Sequence, residues 1–109
     1  MALKTIGSET LHVLPGRVTQ LSLQYVPPAS VAVVQATLRN ESGGAVRFNA
    51  VEGVTPTPDG EEGSNLLRID GELDVIGSED LRLLQLVPAG SIEPPVLRVT
   101  YYGTGETIN

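Results

Sequence analysis

The sequence predicts an all-β fold, an antiparallel β-sandwich of jelly-roll or Greek-key type with about eight or nine short strands. Apolar and polar residues alternate with a period of two along most of the chain, as they do in half-buried strands. Gly, Pro, Asn and Asp separate these alternating runs, and the 12 glycines and 8 prolines mark turns. No long segment has the apolar spacing of a helix, so the class is all-β.

The first half of the chain contains five predicted strands. They are Leu3–Ile6, Thr10–Leu14, Arg17–Val26, Val31–Asn40 and Ala45–Val51. The last three are the centre of the predicted fold, because their alternation is the most regular. In Val31–Asn40, the residues Ala32, Val34, Ala36 and Leu38 are expected to share the buried face. In Ala45–Val51, Val46 and Phe48 are expected to lie opposite Arg47 and Asn49.

The next segment, Glu52–Asn65, is rich in Pro, Gly and acidic residues and is predicted to be a long acidic loop. Two alternating runs then flank Asp70-Gly71 within Leu67–Val75. Asp-Gly favours a type I′ turn, which needs positive φ at both central residues. We therefore expect a β-hairpin, with Leu67 and Ile69 on the same face as Leu73 and Val75.

Leu81–Val87 is the one ambiguous segment. Ser78 and two acidic residues could begin a short helix in which Leu81 and Leu84 share a face. A strand is preferred, because Leu84–Ile92 resembles Leu23–Val31, and in both segments Val-Pro ends a strand and leads to a second strand. The last predicted strand is Pro95–Tyr102, in which Leu97, Val99 and Tyr101 share the inner face.

Length, charge and composition limit the classes of protein to which this chain can belong. The 109 residues are predicted to form a single domain, with residues 1–8 and 103–109 as candidate terminal arms. A net charge of −6 with a single lysine is unsuited to a phosphate backbone, so no nucleic-acid partner is expected. The chain has no apolar run of the roughly 20 residues that cross a bilayer, and no signal peptide is expected. Without cysteine there are no disulfides and no thiolate metal sites.

Few residues are candidates for chemistry. His12, the only histidine, could pair with Ser8 or Ser22 and a carboxylate, but its alternating surroundings predict a solvent-facing strand residue. Asp59, Glu61 and Glu62 offer oxygen ligands for calcium without the spacing of a dedicated calcium loop, so a solvated acidic loop is expected. The sequence therefore predicts a protein that is not an enzyme and has no cofactor.

A protein that acts through protein–protein contacts is the remaining functional class. Arginines lie singly on the polar faces of the predicted strands, and interfaces are enriched in Arg and depleted in Lys. Tyr101 is expected to fill the core and Tyr102 to be exposed or in a contact. The candidate interface residues are Leu3, Ile6, Arg47, Arg98, Tyr102 and Ile108.

In size, acidity and strand pattern the whole chain resembles the small β-sandwich decoration or cement proteins of tailed-phage capsids. This resemblance implies a homo-oligomer, most often a trimer, that is made in the host cytoplasm. It would lie on the virion surface, where it would bind the major capsid protein and bridge capsomers. A head–tail connector, tail or fibre component is an alternative. A β-sandwich module that binds carbohydrate or calcium is another.

Overall fold

The fold is taken from a computed structural model that describes residues 4–22, 25, 33–57, 65–89 and 93–103. Within these ranges the chain is mostly antiparallel β structure in two sheets, which confirms the all-β expectation at that level. The elements are β1 (Lys4–His12), β2 (Val33–Ser42), β3 (Val46–Asn49), β4 (Asn65–Leu67), β5 (Glu72–Ile76), α1 (Ser78–Leu83), β6 (Gln85–Pro88) and β7 (Val96–Gly103). In the described ranges, α1 included, no helix has the length and hydropathy to cross a membrane.

The two sheets divide the strands unequally. The first sheet has the order β1-β7-β2-β5 and the second has the order β4-β3-β6. A bridge at Thr19 extends the second sheet next to β6, because the backbone N–H groups of Thr19 and Leu86 each donate to the other's carbonyl at 2.9 Å. Both sheets contribute to one apolar cluster, whose largest buried aromatic residue is Tyr101.

The core is aliphatic and follows the alternation of the strands. On β7, Leu97, Val99 and Tyr101 are fully buried, whereas Tyr102 points to the other side, as predicted. The buried cluster consists of Leu11, Val13, Leu21, Val33, Ala36, Leu38, Val46, Leu67, Val75, Leu81, Leu84, Leu86, Leu97, Val99 and Tyr101. Two buried polar residues, Asn40 and Asn49, lie beside it.

β1 corrects the prediction of two short strands at Leu3–Ile6 and Thr10–Leu14. Lys4–His12 is one continuous strand, because its backbone pairs with β7 through the polar residues between the two apolar runs. A register shift between Thr5 and Gly7 accommodates the break in the side-chain pattern. Residues 4–8 of the candidate N-terminal arm therefore belong to the first sheet, and residues 1–3 lie outside the described residues.

The strand predicted at Arg17–Val26 is wrong over its described part. Residues 17–22 form no strand and pair only through Thr19, and the N–H of Tyr25 donates to the carbonyl of Ser22 in a turn. Alternation of apolar and polar residues indicates an extended backbone, but a β-ladder also requires a neighbouring strand in register. Leu21 still reaches the core, so the apolar half of the pattern is real.

β2 confirms the predicted strand at Val31–Asn40 from Val33 onward and extends it to Ser42. Its inner face begins differently, however. A register shift between Val33 and Gln35 buries Val33 and leaves Val34 only partly buried, so the predicted place of Val34 is wrong. Ala36 and Leu38 are fully buried, as expected. Residues 31 and 32 lie outside the described residues.

The segment around Asp70-Gly71 is a turn but not a type I′ hairpin. β4 pairs with β3 and β5 pairs with β2, so the chain crosses from one sheet to the other here. The N–H of Gly71 donates to the carbonyl of Arg68 at 2.9 Å, and within this turn only Asp70 has positive φ, at 66°. Positive φ at the third residue alone is the pattern of a type II turn. Ile69 is 52% exposed, so it does not share a face with buried Leu67.

Helix α1 corrects the preferred strand at Leu81–Val87. Ser78–Leu83 is helical and the strand begins only at Gln85. Glu79 and Asp80 lie in the first turn, where negative charge favours a helix, and Leu81 and Leu84 are 1% exposed on its core side. Leu23–Val31, the segment that Leu84–Ile92 resembles in sequence, lies largely outside the described residues.

The strand predicted at Ala45–Val51 is shorter than expected. β3 ends at Asn49, which is buried. Its side-chain Oδ1 accepts a hydrogen bond from the N–H of Val51 at 2.6 Å, and the chain leaves the sheet here. Residues 52–57 then contain no strand or helix, as predicted for the start of the acidic loop. Residues 58–64 lie outside the described residues, and Asn65 begins β4.

Candidate interaction surface

The outward side of the first sheet is a surface on which cross-strand partners form rows. Strand register gives three rows across β1, β7, β2 and β5. They are Thr5-Tyr102-Gln35-Ile76, Ser8-Thr100-Thr37-Asp74 and Thr10-Arg98-Arg39-Glu72. We call these residues the outer face of the first sheet. The inward neighbours on the same strands fill the core, which holds the backbone beneath this face in place.

Charged residues occupy one row of the outer face. Arg39 lies directly opposite Arg98, an arrangement that is unfavourable for two like charges. Each arginine also faces a carboxylate. Arg98 Nε lies 3.2 Å from both carboxylate oxygens of Glu41, and Arg39 Nη1 lies 3.6 Å from Glu72 Oε1. All four side chains are more than a third exposed, so these ion pairs add little stability and can exchange partners.

The opposite row of the outer face is more apolar. Tyr102 is half-buried and Ile76, at the sheet edge, is 66% exposed. Between the two rows, Thr37 Oγ1 donates to Asp74 Oδ1 at 2.7 Å. The surface thus places an aromatic and an aliphatic group about 13 Å from an arginine pair, since four residues of a strand separate Tyr102 from Arg98.

The structure brings together two of the predicted interface residues, Arg98 and Tyr102, on the outer face. Ile6 lies at the register shift of β1 and is 41% exposed, whereas Arg47 lies in the second sheet. Leu3 and Ile108 lie outside the described residues. Sequence reasoning missed Ile76, although its place after the alternating Leu73 and Val75 indicated an outward apolar residue.

A polar cluster lies on the inward side of β1. Glu9 accepts hydrogen bonds from the N–H of Ser22 at 3.2 Å, from Ser22 Oγ and from the Tyr101 hydroxyl. Tyr25 stacks on Tyr101 with ring centroids 4.1 Å apart and planes at 14°. A Cβ on Gly7 would lie 2.7 Å from Tyr25 Cε1, so glycine leaves room for this ring. Burial, and then the hydrogen bond to Glu9, raises the pKa of Tyr101 far above its ordinary value.

These contacts separate the residues that sequence reasoning considered for catalysis. His12 is exposed and pairs with Val96 on the outward side of the first sheet, whereas Glu9 and Ser22 meet on its inward side. Ser8 faces outward like His12 but lies about 13 Å along the same strand. The arrangement therefore does not form a Ser–His–carboxylate triad from these residues, and Glu9 acts as a structural acceptor.

Two shallow clefts open at other places on the described surface. One cleft, of about 230 Å³, lies between the segment next to Thr19, the loop after β3 and the end of α1. Its polar groups come from Gln20, Thr55, Arg82 and Gln85. The other, of about 170 Å³, is lined by residues of β3, β5 and α1. Arg82 is held 3.9 Å from Glu79, an exposed pair within α1.

Within the described ranges no three His, Asp or Glu side chains are placed to hold an ion. Asp59, Glu61 and Glu62 lie outside those ranges, so the calcium alternative stays a prediction. The chain matches no protein-family model, no curated protein and no solved structure.

Proposed function

We propose that this protein is a non-enzymatic structural component of a tailed-phage virion. It decorates the capsid by binding the major capsid protein as a homo-oligomer, with a trimer favoured, and its sandwich is of jelly-roll or Greek-key type. The observation that supports this proposal is the outer face of the first sheet. Arg98 and Tyr102, residue types that dominate interface energetics, lie there on one strand of a sheet whose other side is packed core.

The charges of this face suit exchange of ion pairs on binding. The guanidinium of Arg98 is held by one exposed carboxylate, that of Glu41, and a partner carboxylate can replace it at little cost. Tyr102 and Ile76 supply apolar area beside these charges. A protein that binds only the assembled shell stabilises that shell by mass action. A decoration protein would in this way help the shell to withstand the pressure of the DNA inside the capsid.

Cosedimentation with purified phage capsid shells tests this proposal. Arg98→Ala and Tyr102→Ala should each weaken binding by about tenfold or more, as residues at the centre of an interface do. Arg17→Ala, an exposed arginine in the turn after β1, is the matched control and should bind as the wild type does. Shell binding that neither substitution changes, or no binding to shells, contradicts the proposal; rings or fibres in electron micrographs would indicate the connector, tail or fibre alternative.

A carbohydrate-binding module is the second candidate, and the cleft of about 230 Å³ favours it. Its two glutamine amides, Gln20 and Gln85, offer the paired donors and acceptors that sugar hydroxyls bind. A glycan that raises the unfolding temperature of the wild type but not of Gln85→Ala would support this function. Equal shifts in both proteins, or none in either, would exclude the cleft as its site.

A further inference from the structure

The cleft of about 230 Å³ has one wall formed by a pair of glutamines. The antiparallel bridge between Thr19 and Leu86 has both of its backbone hydrogen bonds, so Gln20 and Gln85 follow as the next opposed pair. In such a pair the backbones approach most closely and the side chains are neighbours. Leu86 and Leu21 are buried, and successive side chains point to opposite faces, so both amides lie on the side away from the core.

The second wall of the cleft is the loop after β3, whose shape is set by its own hydrogen bonds. Asn49 Oδ1 accepts the N–H of Val51 at 2.6 Å, and the carbonyl of Val51 accepts the N–H of Val54 at 3.1 Å. Gly53, the third residue of this turn, has a φ of 77°, which glycine adopts without a steric penalty. These bonds place Val51 and Thr55 beside the cleft, so the wall is formed by the chain itself, as in most ligand sites.

Arg82, in the last turn of α1, is the only charged residue among the described residues that line the cleft. Its Nη2 lies 3.9 Å from Glu79 Oε1, and both side chains are more than half exposed. An exposed ion pair of this length adds little stability, so a carboxylate in the cleft can compete with Glu79 for the guanidinium. A guanidinium binds a carboxylate through two parallel N–H bonds, and its single charge matches a carboxylate better than a phosphate, which carries nearly two.

We propose that this cleft binds an acidic monosaccharide, a sugar ring with one carboxylate, such as a uronic acid. Arg82 binds the carboxylate, and the amides of Gln20 and Gln85 donate to and accept from the hydroxyl groups. Val51 and Val54 offer apolar surface to the C–H groups of the ring. The volume lies below the roughly 300–1,000 Å³ of sites for drug-sized ligands, which suits one sugar ring. This inference rests on the carbohydrate-binding candidate above and narrows its ligand; it does not depend on capsid binding.

Titration of the full chain with glucuronate, glucose and acetate, followed by amide chemical shifts, tests the proposal. Glucuronate should bind about tenfold or more tightly than glucose, which lacks the carboxylate, and than acetate, which lacks the ring. Arg82→Met keeps the apolar stem and should reduce the affinity for glucuronate to that for glucose. Glu79→Gln removes the competing carboxylate and should raise the affinity for glucuronate by about twofold or more. Arg39→Met removes an equal charge from the first sheet and should bind glucuronate as the wild type does.

The outcomes separate this inference from the wider carbohydrate function. Equal affinities for glucuronate and glucose, both lost in Gln85→Ala, would keep the cleft as a sugar site and overturn the acidic ligand. Binding of neither sugar at the highest concentration would overturn both. Glucuronate binding that Arg39→Met weakens as much as Arg82→Met does would reflect unspecific attraction, and would also overturn the site. Both arginines are exposed, so unfolding temperatures like that of the wild type should show that the two variants fold normally.

Discussion

The hydroxyl of Tyr101, on β7, donates a hydrogen bond to Glu9, on the adjacent edge strand β1. Ser22 donates both its N–H and its hydroxyl to the same carboxylate, so Glu9 also holds the segment that crosses to the second sheet. A carboxylate pointing inward from an edge strand would be costly if it were unpaired. Here three donors satisfy it, and it links β1 and β7 to the segment that follows the bridge at Thr19.

Removing one of these donors should destabilise the fold. Tyr101→Phe keeps the ring that stacks on Tyr25 but deletes the hydroxyl, and we expect a loss of about 2 kcal/mol in the free energy of unfolding. Urea denaturation measures it. Tyr102→Phe, on the outer face, is the control and should change stability by less than about 0.5 kcal/mol. Equal effects of the two substitutions would mean that the bond to Glu9 contributes nothing.

The raised pKa of Tyr101 predicts a loss of stability at alkaline pH. Its pKa is higher in the folded protein than in the unfolded chain, chiefly because of burial. Stability linked to this group is therefore complete below about pH 10, the ordinary tyrosine pKa, and declines above it because the unfolded chain gives up the proton first. The stability difference between wild type and Tyr101→Phe should shrink as the pH rises past 10. A constant difference from pH 7 to 11 would contradict this.

Asn40 supports the corner where the chain changes sheets. Its buried side-chain amide donates to the carbonyls of Gly44 at 2.9 Å and Leu67 at 3.3 Å. Asn40→Ala leaves both carbonyls without this donor and should cost about 3 kcal/mol of unfolding free energy. Chemical denaturation of Asn40→Ala against Asn65→Ala, an exposed asparagine in β4, measures the difference. Equal stabilities would show that the corner does not need the amide.

The turn at Asp70 and Gly71 holds Asp70 at positive φ and brings the backbone of Gly71 close to that of Arg68. Asp70→Gly should be neutral or stabilising by up to about 1 kcal/mol, because glycine adopts positive φ without a steric penalty. Gly71→Ala should be destabilising by about 1–3 kcal/mol, because its Cβ would lie 2.8 Å from the carbonyl oxygen of Arg68. Melting temperatures of the two variants test this pair. A melt of Gly71→Ala like that of the wild type would contradict the observed turn.

Part of the candidate surface could be predicted from the sequence. Arg98 and Tyr102 are four residues apart on a strand with regular alternation, so period two alone places them on one face, opposite buried Tyr101. Gln35 and Ile76 complete that face only through the register of β2 with β7 and β5. Nothing in the local sequence specifies which strands become neighbours.

By itself the sequence determined that the chain is mostly β structure and that Leu97, Val99 and Tyr101 are buried on one face of β7, because both depend on local alternation. It determined neither the division of strands between two sheets nor the shift that buries Val33 in place of Val34. The tertiary structure decided both features, since distant segments compete to pair with the same backbone donors and acceptors. α1 forms at Ser78–Leu83 in place of the preferred strand, and in the described part of the chain Arg47 Nε, on the second sheet, has no hydrogen-bond partner.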